Sequence, residues 1–207
     1  MTPAAAFWDR IADKYARRPV RDVDAYERTL ARTRSHLAPD DTVLEIGCGT
    51  GTTALKLADA VGAITASDIS GRMIEIAEGK ARAAGAGNVR FLRSPADGPG
   101  IGGQSYDAVL AFNLLHLLED LPGALERIHG LVKPGGVFVS KTVCIKGAPL
   151  WMRALIKPLQ LVGIAPYVRS MAVAELDAAI EAAGFRIIET GVFPASPPAR
   201  FVVAKRP

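Results

Sequence analysis

From Asp41 to Val143, apolar runs of strand length alternate with stretches of helical spacing. VLEI (43–46) is followed by TTALKLADA, AITAS (63–67) by GRMIEIAEGKARAA, VRFL (89–92) by a loop, YDAVLAF (106–112) by ALERIHGLV, and then comes VFVSKTV (137–143). That order predicts βαβ units around a parallel sheet, because neighbouring parallel strands need a crossover of a dozen or more residues, which a helix fills. Ahead of it, Phe7, Trp8, Ile11 and Tyr15 at helical spacing predict a helix over 5–17, and a second, polar helix spans 24–37. Behind it lie a segment rich in Leu, Trp, Met and Pro (148–170), a helix from Val173 to about Ala183 closed by Gly184, and the runs FRIIETGVF and RFVVAKR. The Pro-rich PASPPA between those two runs is too short for a crossover, so it predicts an antiparallel hairpin. At 207 residues, one domain is expected.

Several classes of protein are excluded at this stage. Cys48 and Cys144 stand far apart with no CxxC or Cys/His cluster, which predicts neither a disulfide framework nor a metal site and suits a reducing, cytoplasmic compartment. The N-terminus has no basic stretch leading into an apolar run, and no charge-free apolar stretch reaches the ~20 residues of a membrane span, so neither secretion nor spanning is expected. The net charge of +4 does not by itself argue for nucleic acid. Its distribution says more, since no carboxylate occurs between Glu126 and Glu175 while seven Lys and Arg do.

Glu45-Ile46-Gly47-Cys48-Gly49-Thr50-Gly51 leaves the first strand and opens a helix, placing glycines where the backbone must turn tightly and approach a ligand. Asp68 ends the next strand 19 residues after Gly49, close to the ~20-residue offset at which an acid meets a ribose diol. The spacing is GxGxG, not the GxGxxG of dinucleotide loops, and an anionic Glu45 would repel a pyrophosphate and suit a cationic ligand. A nicotinamide dehydrogenase is therefore disfavoured.

With VLEIGCGTGTTALKLA, DISGRMIEIA, YDAVLAFNLLHLLED and LVKPGG in this order, roughly residues 40–142 resemble the class I S-adenosylmethionine-dependent methyltransferases. The resemblance implies a doubly wound, mostly parallel seven-stranded α/β sheet of Rossmann-like type, with N-terminal helices and a helical lid after the fifth strand. It divides one domain into an N-terminal helical cap (1–38), a cofactor-binding core (39–142), a substrate insertion (143–172) and a C-terminal helix and hairpin (173–207). It also implies S-adenosylmethionine as cofactor. Gly47, Cys48, Gly49, Thr50 and Gly51 would pass beneath it, Glu45 would support the loop or the ammonium end, and Asp68 would take both ribose hydroxyls. Ile69 and Met73 would sandwich the adenine, unless they are ordinary core. Where the family commonly has an acid after the third strand, this chain has Pro95, so the adenine contact falls to the Ala96 backbone and the Asp97 side chain.

The resemblance places the reacting methyl group at the end of the fourth strand. Asn113 and His116 are the catalytic candidates there, Asn113 also as a cofactor contact and His116 as a general base or else as a packing histidine. Tyr15 is the third, on a helix that folds over the cofactor or serves as an amphipathic staple. Asn-Leu-Leu-His replaces the Asn-Pro-Pro-aromatic quartet that would have pointed to nucleic acid, so nucleic acid is not expected. In PLWMRALIKPLQLV (149–162) an apolar helix carries Arg153 and Lys157; it is a lid, a peripheral contact with anionic membrane, or a cover for the sheet edge. The expected activity is methyl transfer to a small apolar or amphipathic acceptor, such as a lipid-headgroup amine or a quinone-like hydroxyl. The alternative is a non-catalytic cofactor-binding regulatory module.

Overall fold

The computed structural model describes residues 2–96, 98–147, 158, 160, 165–195 and 198–207. In chain order these form α1 (Pro3–Ala16), α2 (Val23–Arg34), β1 (Thr42–Ile46), α3 (Thr52–Leu57), β2 (Ala63–Asp68), α4 (Gly71–Ala84), β3 (Val89–Arg93) and β4 (Tyr106–Phe112). There follow α5 (Leu121–Leu131), β5 (Val132–Val143), α6 (Val173–Ala182), β6 (Arg186–Ala195) and β7 (Pro198–Lys205). Helix starts are written in the sequence: Thr2, Asp22, Ser70 and Asp120 each accept a backbone N–H from the first turn of α1, α2, α4 and α5. Gly85, with φ +65°, ends α4 in the left-handed conformation that glycine adopts without strain.

Among the described residues the strands make one seven-stranded sheet in the order β3-β2-β1-β4-β5-β7-β6. The first five are parallel, and β7 runs antiparallel to both β5 and β6, as the short Pro-rich link requires. The central strands are near-continuous apolar runs because helices cover both faces. On one face Leu44, Ile46, Val109 and Phe138 pack against Leu125 and Ile128 of α5 and Leu176 and Ile180 of α6. On the other, Val43, Ala66, Leu110 and Phe201 pack against Ala25 and Leu30 of α2, Leu57 of α3 and Ile74 of α4. β5 starts at Val132, ahead of the expected 137, because Val132 is buried and pairs with Tyr106 before the register shifts.

The order in which strands are added to the sheet reverses between the parallel neighbours β1 and β4, the place where open α/β sheets hold ligands. α1 is drawn over that place from one side. Asp9 accepts the Ser70 hydroxyl at 2.5 Å and the Arg72 N–H at 3.0 Å at the start of α4, and the Arg72 guanidinium grips Asp13. No helix among the described residues is long and apolar enough to cross a membrane.

Candidate active site

A cavity of about 640 Å³ opens at the C-terminal ends of β1, β2, β3 and β4. Its walls are Gly47 and Gly49 after β1, Asp68 and Ile69 after β2 with Met73 on α4, Ser94–Ala96 after β3, and Phe112–Leu114 after β4. Trp8 and Tyr15 of α1 close one side; Leu117, Leu118 and Glu119, with Ala124 and Arg127 of α5, extend the other.

Asp68 is fixed by the glycine loop it faces. Its Oδ2 accepts the Gly49 N–H and its Oδ1 the Ser70 N–H, both at 2.9 Å, leaving each oxygen a lone pair for a further donor. Burial pushes its carboxyl up, against those two hydrogen bonds, which favour the anion. Gly49 has φ +53°, and a Cβ there would meet only Tyr15, at 3.9 Å, so the backbone presents itself openly to the cavity. Gly47, with φ +71°, lies under Leu114, whose Cδ1 stands 2.9 Å from where its Cβ would be. Asn113 has φ +55°, the one positive-φ residue other than glycine among the described residues, and its N–H donates to the Lys141 carbonyl at 2.7 Å. A strained residue held at a cavity wall is a functional candidate. Tyr15 meets Trp8 edge to face, and its hydroxyl is pushed up by burial first and then by the Asp68 charge, so it stays protonated as a donor.

The cavity thus gathers Tyr15, Gly47, Gly49, Asp68, Ile69, Met73, Ala96 and Asn113 of the residues expected from the sequence. Met73 is both wall and core, being 2% exposed. Five others stand elsewhere. Glu45 is buried behind the loop, and burial pushes its carboxyl up to about 8, so it is not the anion that the spacing argument assumed. Cys48 packs into the core beneath α2 and α3. Thr50 accepts a hydrogen bond from Lys80 at 2.9 Å. Gly51 serves packing, since its missing side chain makes room for the Phe91 ring and Ala77.

His116 does not line the cavity; its Nδ1 is buried with no hydrogen-bond partner, and burial pushes the imidazole down to about 4. At neutral pH it is uncharged and a weak base. Asp97 lies outside the described residues, as do Trp151, Arg153 and Lys157 and most of the 148–170 segment. The end of that segment is described: Arg169 donates to the carbonyls of His116, Leu118 and Glu119, in the loop whose side chains line the cavity.

Trp8, Leu117 and Leu118 are not among the site residues expected from the sequence. Trp8 is two helical turns from Tyr15, and that shared face was the available signal. Ser94 and Pro95 lie in the stretch after β3 where the resemblance put the adenine contact on Ala96 and Asp97, and they line the cavity beside Ala96.

His116 also sets an expected pH dependence. Between about pH 6.5 and about 4 the unfolded chain binds the proton that the folded chain refuses, so stability should fall as pH drops through that window and level off below it. Urea midpoints measured from pH 7 to pH 4 should show this loss in the native chain and a flatter profile in His116→Leu. Parallel profiles would remove His116 as a source.

A glycine loop over an acid-bearing second strand, at the switch point of a doubly wound sheet, defines a nucleoside-cofactor-binding α/β domain. A family model described as methyltransferase domain matches residues 43–136, and the chain carries a domain of the class I S-adenosylmethionine-dependent methyltransferases. An uncharacterized methyltransferase of Mycobacterium tuberculosis is 36% identical over 100 residues, 48% of this chain and 49% of that protein. A demethylmenaquinone methyltransferase of Geobacillus kaustophilus is 31% identical over 116 residues, 55% of this chain and 48% of that protein. The chain spans about half the length of these curated relatives. Among solved structures, the magnesium protoporphyrin IX methyltransferase of Synechocystis PCC 6803 with bound S-adenosylmethionine superposes with a TM-score of 0.73 at 19% identity, covering 100% of this chain and 98% of that one.

Proposed function

We propose that this protein transfers a methyl group from S-adenosylmethionine to a small apolar or amphipathic acceptor, with a quinone-like ring hydroxyl favoured over a lipid-headgroup amine. The observation that carries this reading is one continuous cavity that begins at Gly47, Gly49 and Asp68 and ends at an apolar wall of Trp8, Leu114, Leu117 and Leu118. The residues fit the cofactor: Asp68 keeps lone pairs for two hydroxyls, Gly49 offers bare backbone, and Ile69 and Met73 give an apolar slot. Bound there, the cofactor supplies an electrophilic methyl group on a sulfonium. The chain's part is then to hold donor and acceptor in line and exclude water, an effect of proximity that can contribute ~7–11 kcal/mol without a dedicated base. Relatives named as a demethylmenaquinone methyltransferase, a ubiquinone/menaquinone biosynthesis C-methyltransferase and a ubiquinone biosynthesis O-methyltransferase support a quinone-like ring as the acceptor, at a ring hydroxyl or a ring carbon.

Asn113 is the positioning candidate, its side chain carried on a strained turn beside the cavity. Asn113→Ala should lower kcat by roughly tenfold or more while changing cofactor affinity by less than about threefold, because the interaction would be made mainly in the transition state. Equal losses in both would make Asn113 a cofactor ligand.

A second reading, a cofactor-binding module without turnover, is favoured by one observation: the one histidine expected in the site, His116, is outside the cavity, and burial pushes its imidazole down to about 4. Mass spectrometry of a cell extract incubated with the protein and methyl-labelled cofactor decides between them. Label transferred to an organic-soluble ring compound supports the enzyme; label in an aminolipid moves the acceptor to the headgroup; no transfer despite cofactor binding supports the module.

A further inference from the structure

The turn that joins α1 to α2 gathers positive charge and exposed apolar side chains beside the cavity. Lys14 in the last turn of α1, Arg17 at its C-cap, and Arg18 and Arg21 beyond it are all exposed. The acids of α1 are committed to the start of α4, Asp9 to Ser70 and the Arg72 N–H and Asp13 to the Arg72 guanidinium, so none of these four cations has an ion pair among the described residues. Arg17 adds only to the field at Asp13, and Arg18 to that at Tyr15. From Lys14 to Asp24, four cations stand against two acids. Asp22 caps α2 by accepting the Ala25 N–H at 2.9 Å, and Asp24 lies in the first turn of that helix. Of the six large apolar side chains exposed among the described residues, Tyr15, Val20 and Val23 fall in the same stretch, at 44%, 46% and 56%. Single exposed valines need no account, but three apolar side chains within nine residues and framed by cations form a patch.

The field of a helix C-terminus accounts for Lys14 and Arg17, since cations are stabilised within the last turn. It calls neither for Arg21, five residues past the end of α1, nor for the bare valines. A soluble polyanion would match the charge and leave the valines in water. An anionic bilayer matches both, because cations meet its headgroups while short apolar side chains reach the acyl boundary. The turn also continues the cavity wall: the Arg18 N–H donates to the carbonyl of Tyr15 at 3.1 Å, and Tyr15 closes one side of the cavity with Trp8.

We propose that the α1–α2 turn is a docking surface for an anionic lipid bilayer, with Lys14, Arg17, Arg18 and Arg21 on the headgroups and Val20 and Val23 entering beneath them. This surface is separate from the 149–162 run, which lies largely outside the described residues. Docking itself does not depend on methyl transfer. Its use rests on that reading: it would bring the Trp8 and Tyr15 side of the cavity to the layer in which an amphipathic acceptor dissolves.

The test is flotation of the full chain, without cofactor, on vesicles of phosphatidylcholine alone and of phosphatidylcholine with phosphatidylglycerol in equal parts. The native protein should bind the mixed vesicles at least about tenfold more tightly, and lose that gain near 1 M salt, where the Debye length is ~3 Å. Arg18→Gln with Arg21→Gln should lower the affinity about 25-fold, roughly fivefold for each cation removed. Val20→Ser with Val23→Ser should lower it at least about fivefold through lost apolar contact. Melting temperature and S-adenosylhomocysteine affinity should stay unchanged in both variants.

No binding of the native protein to mixed vesicles at low salt would overturn the proposal. Binding that survives Arg18→Gln with Arg21→Gln would move the contact to another part of the chain and overturn it too. Charge-dependent binding that ignores the serine variant would replace the bilayer with a soluble polyanion. Position is read directly with a dye, because Cys48 and Cys144 are buried and Val20→Cys would carry the accessible thiol. An environment-sensitive dye there should shift to the blue on mixed vesicles. The same dye on Gly87→Cys should not, since Gly87 lies before β3, at the end of the sheet opposite the cavity, where a Cβ meets nothing within 4 Å. No shift at position 20, or equal shifts at both, would refute the docking geometry. Failure to bind S-adenosylhomocysteine with vesicle docking intact would overturn the methyltransferase reading and leave the docking surface standing.

Discussion

Asp68→Ala is expected to weaken S-adenosylhomocysteine binding by roughly ten- to a hundredfold, the ~1.5–3 kcal/mol of hydrogen bonds made to a charged group. Isothermal calorimetry measures it directly. Two effects are combined in that loss, because Asp68 braces the loop through the Gly49 and Ser70 N–H groups as well as facing the cavity. A ligand lacking the 2′-hydroxyl separates them. If Asp68 receives the diol, the deoxy ligand should bind weakly to the native protein and lose little more in Asp68→Ala. Full additivity of the two changes would confine Asp68 to bracing the loop, and unchanged affinity in the variant would remove it from the site.

Gly51→Val should produce the largest loss of stability of any single change in the loop. Gly51 has φ +72°, a conformation costly for any side chain and most costly for a β-branched one. Its Cβ would stand 2.6 and 2.7 Å from two Phe91 ring carbons and 2.8 Å from the Ala77 Cβ, so β3 and α4 would both have to give way. Backbone strain of ~1–2 kcal/mol and overpacking of ~1–3 kcal/mol together give about 2–5 kcal/mol. For a chain of this size that lowers Tm by roughly 4–20 °C, readable by calorimetric melting. Gly79→Ala is the control. A Cβ there meets nothing within 4 Å inside α4, so the change should stabilise by about 0.5–1 kcal/mol. A Gly51→Val variant as stable as the native chain would overturn both the strain and the packing account of this glycine.

The two glycines that the sequence treats alike are thus separated by their surroundings. Gly49 looks onto the cavity and Gly51 onto Phe91, and a GxGxG pattern does not distinguish them, because the difference lies in what β3 and α4 bring to the loop. The same holds for the two catalytic candidates after β4. Asn113 and His116 are three residues apart, yet the turn at Asn113 directs one to the cavity and leaves the other with a buried, unpartnered nitrogen.

The sequence by itself determined the order of strands and helices, the hairpin at the end, the glycine loop after β1 and the acid that closes β2. These rest on local rules: the period of the apolar residues, the reach of a connection, and the need for glycine at tight turns. Tertiary structure alone decided that Trp8 joins Tyr15 over the cavity, because that depends on Asp9 and Asp13 meeting Ser70 and Arg72 about sixty positions away. It also decided the protonation of Glu45 and His116. A carboxyl or an imidazole carries its charge only while water or a partner stabilises it, and whether either is present is fixed by packing between distant segments, which no local pattern records.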